Sequence, residues 1–133
     1  MHIDREFSIA FDESLRTEDE NTLALLDQIW EQVLAKIFPE PTGRGKRPKP
    51  SIKEQVILMV LNLWHVWTVN PGKSIYVPMS RGKPYERFTK ITAVMIHIVR
   101  ELKANQLIET CKGEQGIKRQ TRVMAAPKLR AYF

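Results

Sequence analysis

Apolar residues recur at intervals of three and four between positions 90 and 105, which is the period of an amphipathic helix. The apolar stripe of this predicted helix consists of Ile91, Met95, Ile98 and Leu102. Asn105 is expected to end the helix, because asparagine tolerates the left-handed backbone conformation of a C-cap. The pattern therefore predicts a helix with one face on a core and the other face in solvent.

A change of period follows this helix and predicts a β-hairpin. Residues 107–111 and 119–125 have the pattern of two short strands, and the loop between them contains Gly113 and Gly116, which a tight reversal needs. The second strand carries Lys118, Arg119 and Arg122. Basic side chains are therefore expected both beside the helix and on the β-ribbon that follows it.

Two further helices are predicted nearer the N-terminus. Residues 17–38 begin with a capping box at Thr17 and Glu20 and carry a broad apolar stripe. This stripe is expected either to pack on the chain's own core or to form a homodimer interface. Residues 51–69 begin with a second capping box, at Ser51 and Glu54, and are apolar nearly all round. That pattern predicts a central helix that is buried on several sides.

Shorter elements complete the predicted fold. Residues 74–79 are rich in β-formers and predict a strand, residues 85–88 predict a short helix, and residues 1–15 are expected to be partly ordered at most. With 133 residues, the chain has about the length of one domain. The combined pattern predicts an α+β fold that is mainly α with a small antiparallel β-sheet.

Residues 39–50 contain four prolines and two glycines, a composition typical of a linker. They separate an N-terminal segment, residues 1–38, from a larger domain, residues 51–133. The core of the linker, residues 44–48, contains the basic residues Arg44, Lys46 and Arg47. They are expected either to lie in the minor groove of A·T-rich DNA as an extended arm or to form a solvated hinge.

Charge divides the chain in the same place. Residues 1–38 carry three basic and nine acidic side chains, a net charge of −6, whereas the remaining residues carry eighteen basic and six acidic side chains, a net charge of +12. A basic domain joined to an acidic segment indicates a polyanionic partner for the domain and a protein contact for the segment. A basic surface that serves only solubility is the simpler alternative.

The run ITAVMIHIVRELKANQLIE resembles the recognition helix, turn and first wing strand of winged-helix regulators. The matching positions are Leu102 late in the helix and the apolar pair Leu107 and Ile108 five residues later. Gln106 stands where the family usually has glycine, so Asn105 is expected to make the turn. The run GEQGIKRQTRVMAAPKL resembles wing segments of plasmid and phage replication-initiator-like proteins. The resemblance implies a winged helix-turn-helix with an extra N-terminal helix.

In such a fold, the predicted helix would enter the major groove of DNA. The residues off its apolar stripe, which would face the base edges, are Thr92, Ala93, Ile96, His97 and Arg100. Arg100 would read guanine, and Ala93 and Ile96 would contact a thymine methyl group. Basic residues near the helix and on the wing would bind phosphates. They are Arg81, Lys83, Arg87, Lys90, Lys112, Lys118, Arg119 and Arg122.

Other kinds of site find little support in the sequence. Cys111 is the single cysteine, the three histidines lack metal-ligand spacing, and no catalytic constellation can be recognised, so neither an enzyme nor a metal or other cofactor is expected. The acidic N-terminal residues do not resemble a signal peptide, and no apolar run is long enough to cross a membrane. A cytoplasmic location is therefore expected.

Two functional hypotheses follow. The first is double-stranded DNA binding, as a transcriptional regulator or as part of a plasmid or phage replication initiator. The second is a winged-helix protein-interaction module, because Val94 and Ile96 make the predicted recognition helix unusually apolar. RNA binding is a smaller alternative that the basic charge also allows.

Overall fold

The computed structural model describes residues 4–39, 52–77, 93–111 and 122–133. Its strands are β1 (Asp4–Ala10), β2 (Lys73–Tyr76), β3 (Ile108–Cys111) and β4 (Arg122–Ala125). Its helices are α1 (Glu20–Ile29), α2 (Ala35–Ile37), α3 (Ile52–Val69), α4 (Ala93–Ala104) and α5 (Pro127–Arg130). One turn of π-helix, Trp30–Leu34, joins α1 to α2 without a break, so the predicted N-terminal helix ends where expected.

The strands form one sheet in the order β1-β2-β4-β3. β4 pairs antiparallel with both β2 and β3, with Ile75 opposite Val123 and Ile108 opposite Ala125. The predicted α+β class with a small antiparallel sheet is confirmed by these three strands. The predicted helix at residues 85–88 and the loop containing Gly113 and Gly116 fall outside the described ranges.

β1 extends this sheet and corrects the expectation that the first fifteen residues are partly ordered at most. It pairs parallel with β2, and the amide of Phe11 donates to the carbonyl of Tyr76 at 2.8 Å just beyond the strand. Apolar and polar residues alternate only weakly in this segment, so the sequence pattern did not indicate a strand. An edge strand is held by hydrogen bonds to its neighbour, and these do not depend on such alternation.

One hydrophobic core joins the N-terminal helix to the rest of the chain. Ile29 and Leu34 belong to the same buried cluster as Val60 of α3 and Leu102 of α4. The broad stripe of the N-terminal helix therefore packs on its own chain, which was one of the two alternatives that the sequence left open. α3 runs through the middle of this cluster, with buried residues around most of its circumference, as predicted.

The start of α1 differs from the predicted capping box. Asp19 is the N-cap: its carboxylate accepts hydrogen bonds from the backbone amide and the hydroxyl of Thr22, both at 2.8 Å. These two bonds, led by the hydroxyl, lower the pKa of Asp19 below its ordinary value. Thr17 instead accepts a bond from the Asp19 amide outside the helix. Aspartate and threonine both cap helices well, so the sequence pattern could not choose between them.

The turn between α4 and β3 also differs from its prediction. Gln106, not Asn105, takes the left-handed conformation, with φ of +58°. The amide of Leu107 donates to the carbonyl of Leu102, and the amide of Gln106 donates to the carbonyl of Lys103, which is a Schellman motif. The side-chain amide of Asn105 instead donates to the carbonyl of Glu101 at 2.8 Å. Gln106 thus takes the left-handed conformation at the position where the resemblance to winged-helix regulators places a glycine.

Candidate nucleic-acid interface

α4 is fixed to the core by one face. Met95, Ile98, Val99 and Leu102 are buried, and they follow the period of three and four that the sequence predicted. Leu107, which follows the Schellman turn, is buried beside them in the same cluster. The helix therefore cannot rotate without exposing this apolar stripe, and its outward face is fixed in direction.

The outward face of α4 carries apolar and basic side chains and one half-buried acidic side chain, Glu101. Val94, His97, Arg100 and Lys103 are exposed, and at ~100° of rotation per residue they are spread over the half of the helix opposite the buried stripe. Ile96 is half-buried beside them. Ala93 is the first residue of α4, whereas Thr92 precedes the described part of the helix. Of the predicted base-reading residues, His97 and Arg100 thus lie in solvent on the side away from the core.

The end of α2 meets this face. The rings of Phe38 and His97 make an edge-to-face contact with 6.1 Å between their centroids and 85° between their planes. Phe38 is itself buried in the core. The contact therefore orients the His97 ring and places the start of the predicted linker beside α4. The linker residues Arg44, Lys46 and Arg47 are not among those described.

Arg122 corrects the prediction of a solvent-facing basic strand. Its side chain is only 2% exposed, and every residue of β4 is buried. The reason is the position of β4, which lies between β2 and β3 and packs against both α3 and α5. A wing strand with one free face would have alternated between buried and exposed residues. Arg122 therefore does not lie on a surface that could reach a phosphate.

The remaining predicted phosphate contacts lie in segments that the structure does not describe. They are Arg81, Lys83, Arg87, Lys90, Lys112, Lys118 and Arg119. Lys103 is a described cation that the sequence reasoning missed, although its spacing of three residues from Arg100 was a usable signal. It lines a shallow groove of about 600 Å³ together with Gln106, Thr110 and Lys128, next to the C-terminal end of α4.

Some basic side chains are used for packing. The ammonium nitrogen of Lys53 lies 5.3 Å from the centre of the Trp30 ring, and the guanidinium carbon of Arg130 lies 4.8 Å from the centre of the Trp67 ring. Cations at these distances are attracted to the ring face. The net charge of the domain therefore overstates the number of cations that face solvent.

In the part of the chain that the structure describes, no cluster of three or more His, Cys, Asp or Glu side chains could hold a metal ion. None of the described helices has the length and apolar character that crossing a membrane requires.

Comparisons of the chain with protein-family models, with curated proteins and with solved structures gave no match.

Proposed function

We propose that this protein binds double-stranded DNA through the exposed face of α4. The observation that carries the proposal is the arrangement of that helix. Its buried stripe holds it on the core, while His97, Arg100 and Lys103 recur on the outward face. An α-helix fits the major groove of B-form DNA, and arginine can donate two hydrogen bonds to guanine there. Arg100 is the proposed base-reading residue, and Lys103 is a proposed phosphate contact.

The topology around α4 supports a winged helix-turn-helix. α4 leads directly into an antiparallel hairpin of β3 and β4, and β2, which follows α3, pairs with β4. A strand that completes a three-stranded sheet with the wing is what the resemblance to winged-helix regulators implies. On this basis the protein is proposed to act in the cytoplasm as a transcriptional regulator or as part of a replication initiator of the plasmid or phage type.

The charge distribution supports a polyanionic partner. Residues 39–133 carry a net charge of +12, and several of their cations belong to the segments that border α4 in sequence. Covalent geometry keeps Arg44 within ~20 Å of Phe38, at ~3.3–3.6 Å for each residue of the chain. Because Phe38 contacts His97, the linker arm and the helix can bind one DNA site together. Backbone contacts by the arm would add affinity without reading bases.

Duplex binding over a salt series tests this proposal. With about six phosphates neutralised, affinity for random-sequence DNA should fall ~10³-fold or more between 50 and 200 mM salt. Arg100→Ala should lower the affinity for a selected site about tenfold. Arg16→Ala is the matched control, because Arg16 is an exposed arginine of the acidic segment. No binding at low salt, or equal affinities for both variants, would contradict the proposal.

The linker needs a substitution test, since deletion of residues 1–50 would remove β1 and α1 from the sheet and the shared core. A triple variant with alanine at Arg44, Lys46 and Arg47 leaves that core intact. If the linker is a DNA-binding arm, the slope of log affinity against log salt should become less steep by about three. An unchanged slope would identify the linker as a hinge.

A protein-interaction module is the second candidate function, and the exposure of Val94 favours it. This side chain is 38% exposed near the start of α4. If α4 binds a protein, Val94→Ser should impair that complex because the substitution removes apolar contact area. If α4 binds DNA through Arg100 and Lys103, Val94→Ser should leave the salt dependence of duplex binding unchanged.

A further inference from the structure

An apolar groove lies on a part of the surface that the proposed DNA contacts do not use. It has a volume of about 500 Å³ and is formed by the loop at residues 13–17, by α1 and by α3. Its apolar lining consists of Leu15, Leu23, Leu26, Ile57, Leu58 and Leu61. Leu23, the fourth residue of α1, belongs to the apolar stripe of this helix but is 45% exposed. The groove thus leaves apolar surface uncovered between two helices.

One wall of the groove is held in place by a buried polar side chain. Asn62 of α3 accepts a hydrogen bond from the Asp12 amide at 2.9 Å and donates to the Asp12 carbonyl at 3.1 Å. Its side-chain amide also donates to the Leu58 carbonyl within α3. The loop is further closed by Ser14, whose hydroxyl and amide donate to the Asp12 carboxylate and lower its pKa. The groove is therefore preformed, as ligand-binding clefts usually are.

The rim of the groove is acidic. Glu13 and Glu54 line it, and Glu20 and Asp27 flank Leu23 on α1, one turn before and one turn after it. Arg16 is the cation among the lining residues, and its guanidinium is turned back onto its own loop, where it donates to the Leu15 carbonyl at 3.0 Å. The negative charge therefore dominates the approach to the apolar surface, which favours a partner with positive charge.

We propose that this groove binds an amphipathic helix of a partner protein that carries leucine-like side chains on one face and lysine or arginine residues beside them. Two helices and a loop enclose a cleft in which apolar anchors spaced at i, i+3 or i+4 and i+7 can bury themselves. The acidic rim selects a basic partner and repels an acidic one. None of the residues that line the groove is a proposed DNA contact.

A synthetic peptide series tests the inference on the intact chain. The first fluorescent peptide carries leucines at helical spacing and lysines at the flanking positions. A second peptide replaces the lysines with glutamates, and a third replaces the leucines with serines. Fluorescence anisotropy at low salt should show binding of the first peptide alone, since both apolar contact and opposite charge are required. Equal binding of the first and third peptides would mean nonspecific attraction between charges, which would overturn the proposal.

Substitutions on α1 locate the binding site. Leu23→Lys should weaken binding of the first peptide about tenfold or more, because it places a like charge in the centre of the contact. Gln28→Lys is the matched control, since it adds the same charge to an exposed position of the same helix on a different side. Asp27→Asn should weaken binding about twofold to threefold by removing one rim charge. Equal effects of Leu23→Lys and Gln28→Lys would overturn the assignment.

Sedimentation of the unliganded chain separates the partner helix from a second copy of this protein. The proposed groove is open in the unbound protein, so Leu23→Lys should leave the oligomeric state unchanged. If the chain is a dimer that Leu23→Lys converts into a monomer, the groove is occupied by a second copy, and the proposal of a basic partner is wrong. Circular dichroism of each variant checks that the fold is kept.

Discussion

The groove beside α1 and the outward face of α4 differ in both shape and charge. Each exposes an aliphatic side chain in a helix, Leu23 in one case and Val94 in the other. Leu23 is flanked by carboxylates and lies in a concavity between two helices, whereas Val94 lies on one convex helix with Arg100 and Lys103 beyond it. The comparison teaches that an exposed hydrophobic residue indicates a partner's chemistry only together with its surroundings.

The two surfaces nevertheless depend on one core, and core substitutions test that dependence with the largest expected effects. Leu34→Ala in the N-terminal helix and Leu102→Ala in α4 should each lower the free energy of unfolding by about 2–5 kcal/mol. Both side chains are fully buried in the same cluster. Denaturation followed by tryptophan fluorescence, together with hydrogen exchange in α4, checks this. If Leu34→Ala left the protection of α4 unchanged, the two surfaces would belong to independently folding units.

Asn62→Ala should affect the groove and leave the face of α4 unchanged. Removing this side chain leaves the amide and carbonyl of Asp12 without their partners, which should lower the free energy of unfolding by about 1–3 kcal/mol. Exchange of the Asp12 amide should become faster than in the wild type. Thr68→Ala is a control, because the Thr68 hydroxyl donates to a carbonyl within α3 but lies in solvent. Similar destabilisation by both variants would contradict the special role of Asn62.

Gln106→Gly, in the turn between α4 and β3, should raise the free energy of unfolding by about 0.5–1 kcal/mol. The left-handed conformation of Gln106 is strained for a residue with a Cβ atom and unstrained for glycine. Asn105→Gly should have the opposite effect, because it introduces glycine where the backbone is not left-handed and removes the bond to Glu101. Thermal or chemical denaturation measures both. If Asn105→Gly stabilised the protein, Asn105 and not Gln106 would hold the left-handed position, as the sequence predicted.

The Asp19 cap should make the stability of α1 depend on pH in the acidic range. The pKa of Asp19 is lower in the folded protein than in the unfolded chain, so its contribution is present above the ordinary value near 3.8 and is lost as the pH falls through the folded value. The helical signal of α1 should therefore weaken below about pH 4. Asp19→Asn keeps a capping side chain that does not titrate, and it should remove this part of the pH dependence. An unchanged acid transition would contradict the assignment.

Much of the fold could be predicted from local patterns. The sequence predicted α4 from its apolar period and α3 from its nearly continuous apolar surface, and both helices lie at the predicted positions. The two strands of the hairpin, β3 and β4, lie within the predicted ranges. These elements are short-range, and each must bury apolar residues that follow its own geometry. The exposure of His97 and Arg100 followed from the same period. Their role in DNA binding stays a prediction.

Two of the errors share a cause, which is that neighbours distant in the sequence decided the outcome. Arg122 is buried because β4 became the strand between β2 and β3, a position that the sequence of the hairpin does not specify. The strand β1 exists because β2 offers it hydrogen bonds. The choice of Asp19 over Thr17 as cap was between residues of similar local preference. Gln106 takes the left-handed position in the turn although asparagine tolerates that conformation better.

The sequence by itself determined the three long helical segments, the antiparallel pair of β3 and β4 and the contrast between an acidic N-terminal segment and a basic remainder. Local geometry and composition are sufficient for these properties, because each depends on residues within a few turns of one another. The tertiary structure alone decided where the acidic groove lies. Its walls come from residues 13–17, from α1 and from α3, and the hydrogen bonds that hold them join Asp12 to Asn62, fifty positions apart. Only packing of the whole chain brings such residues together.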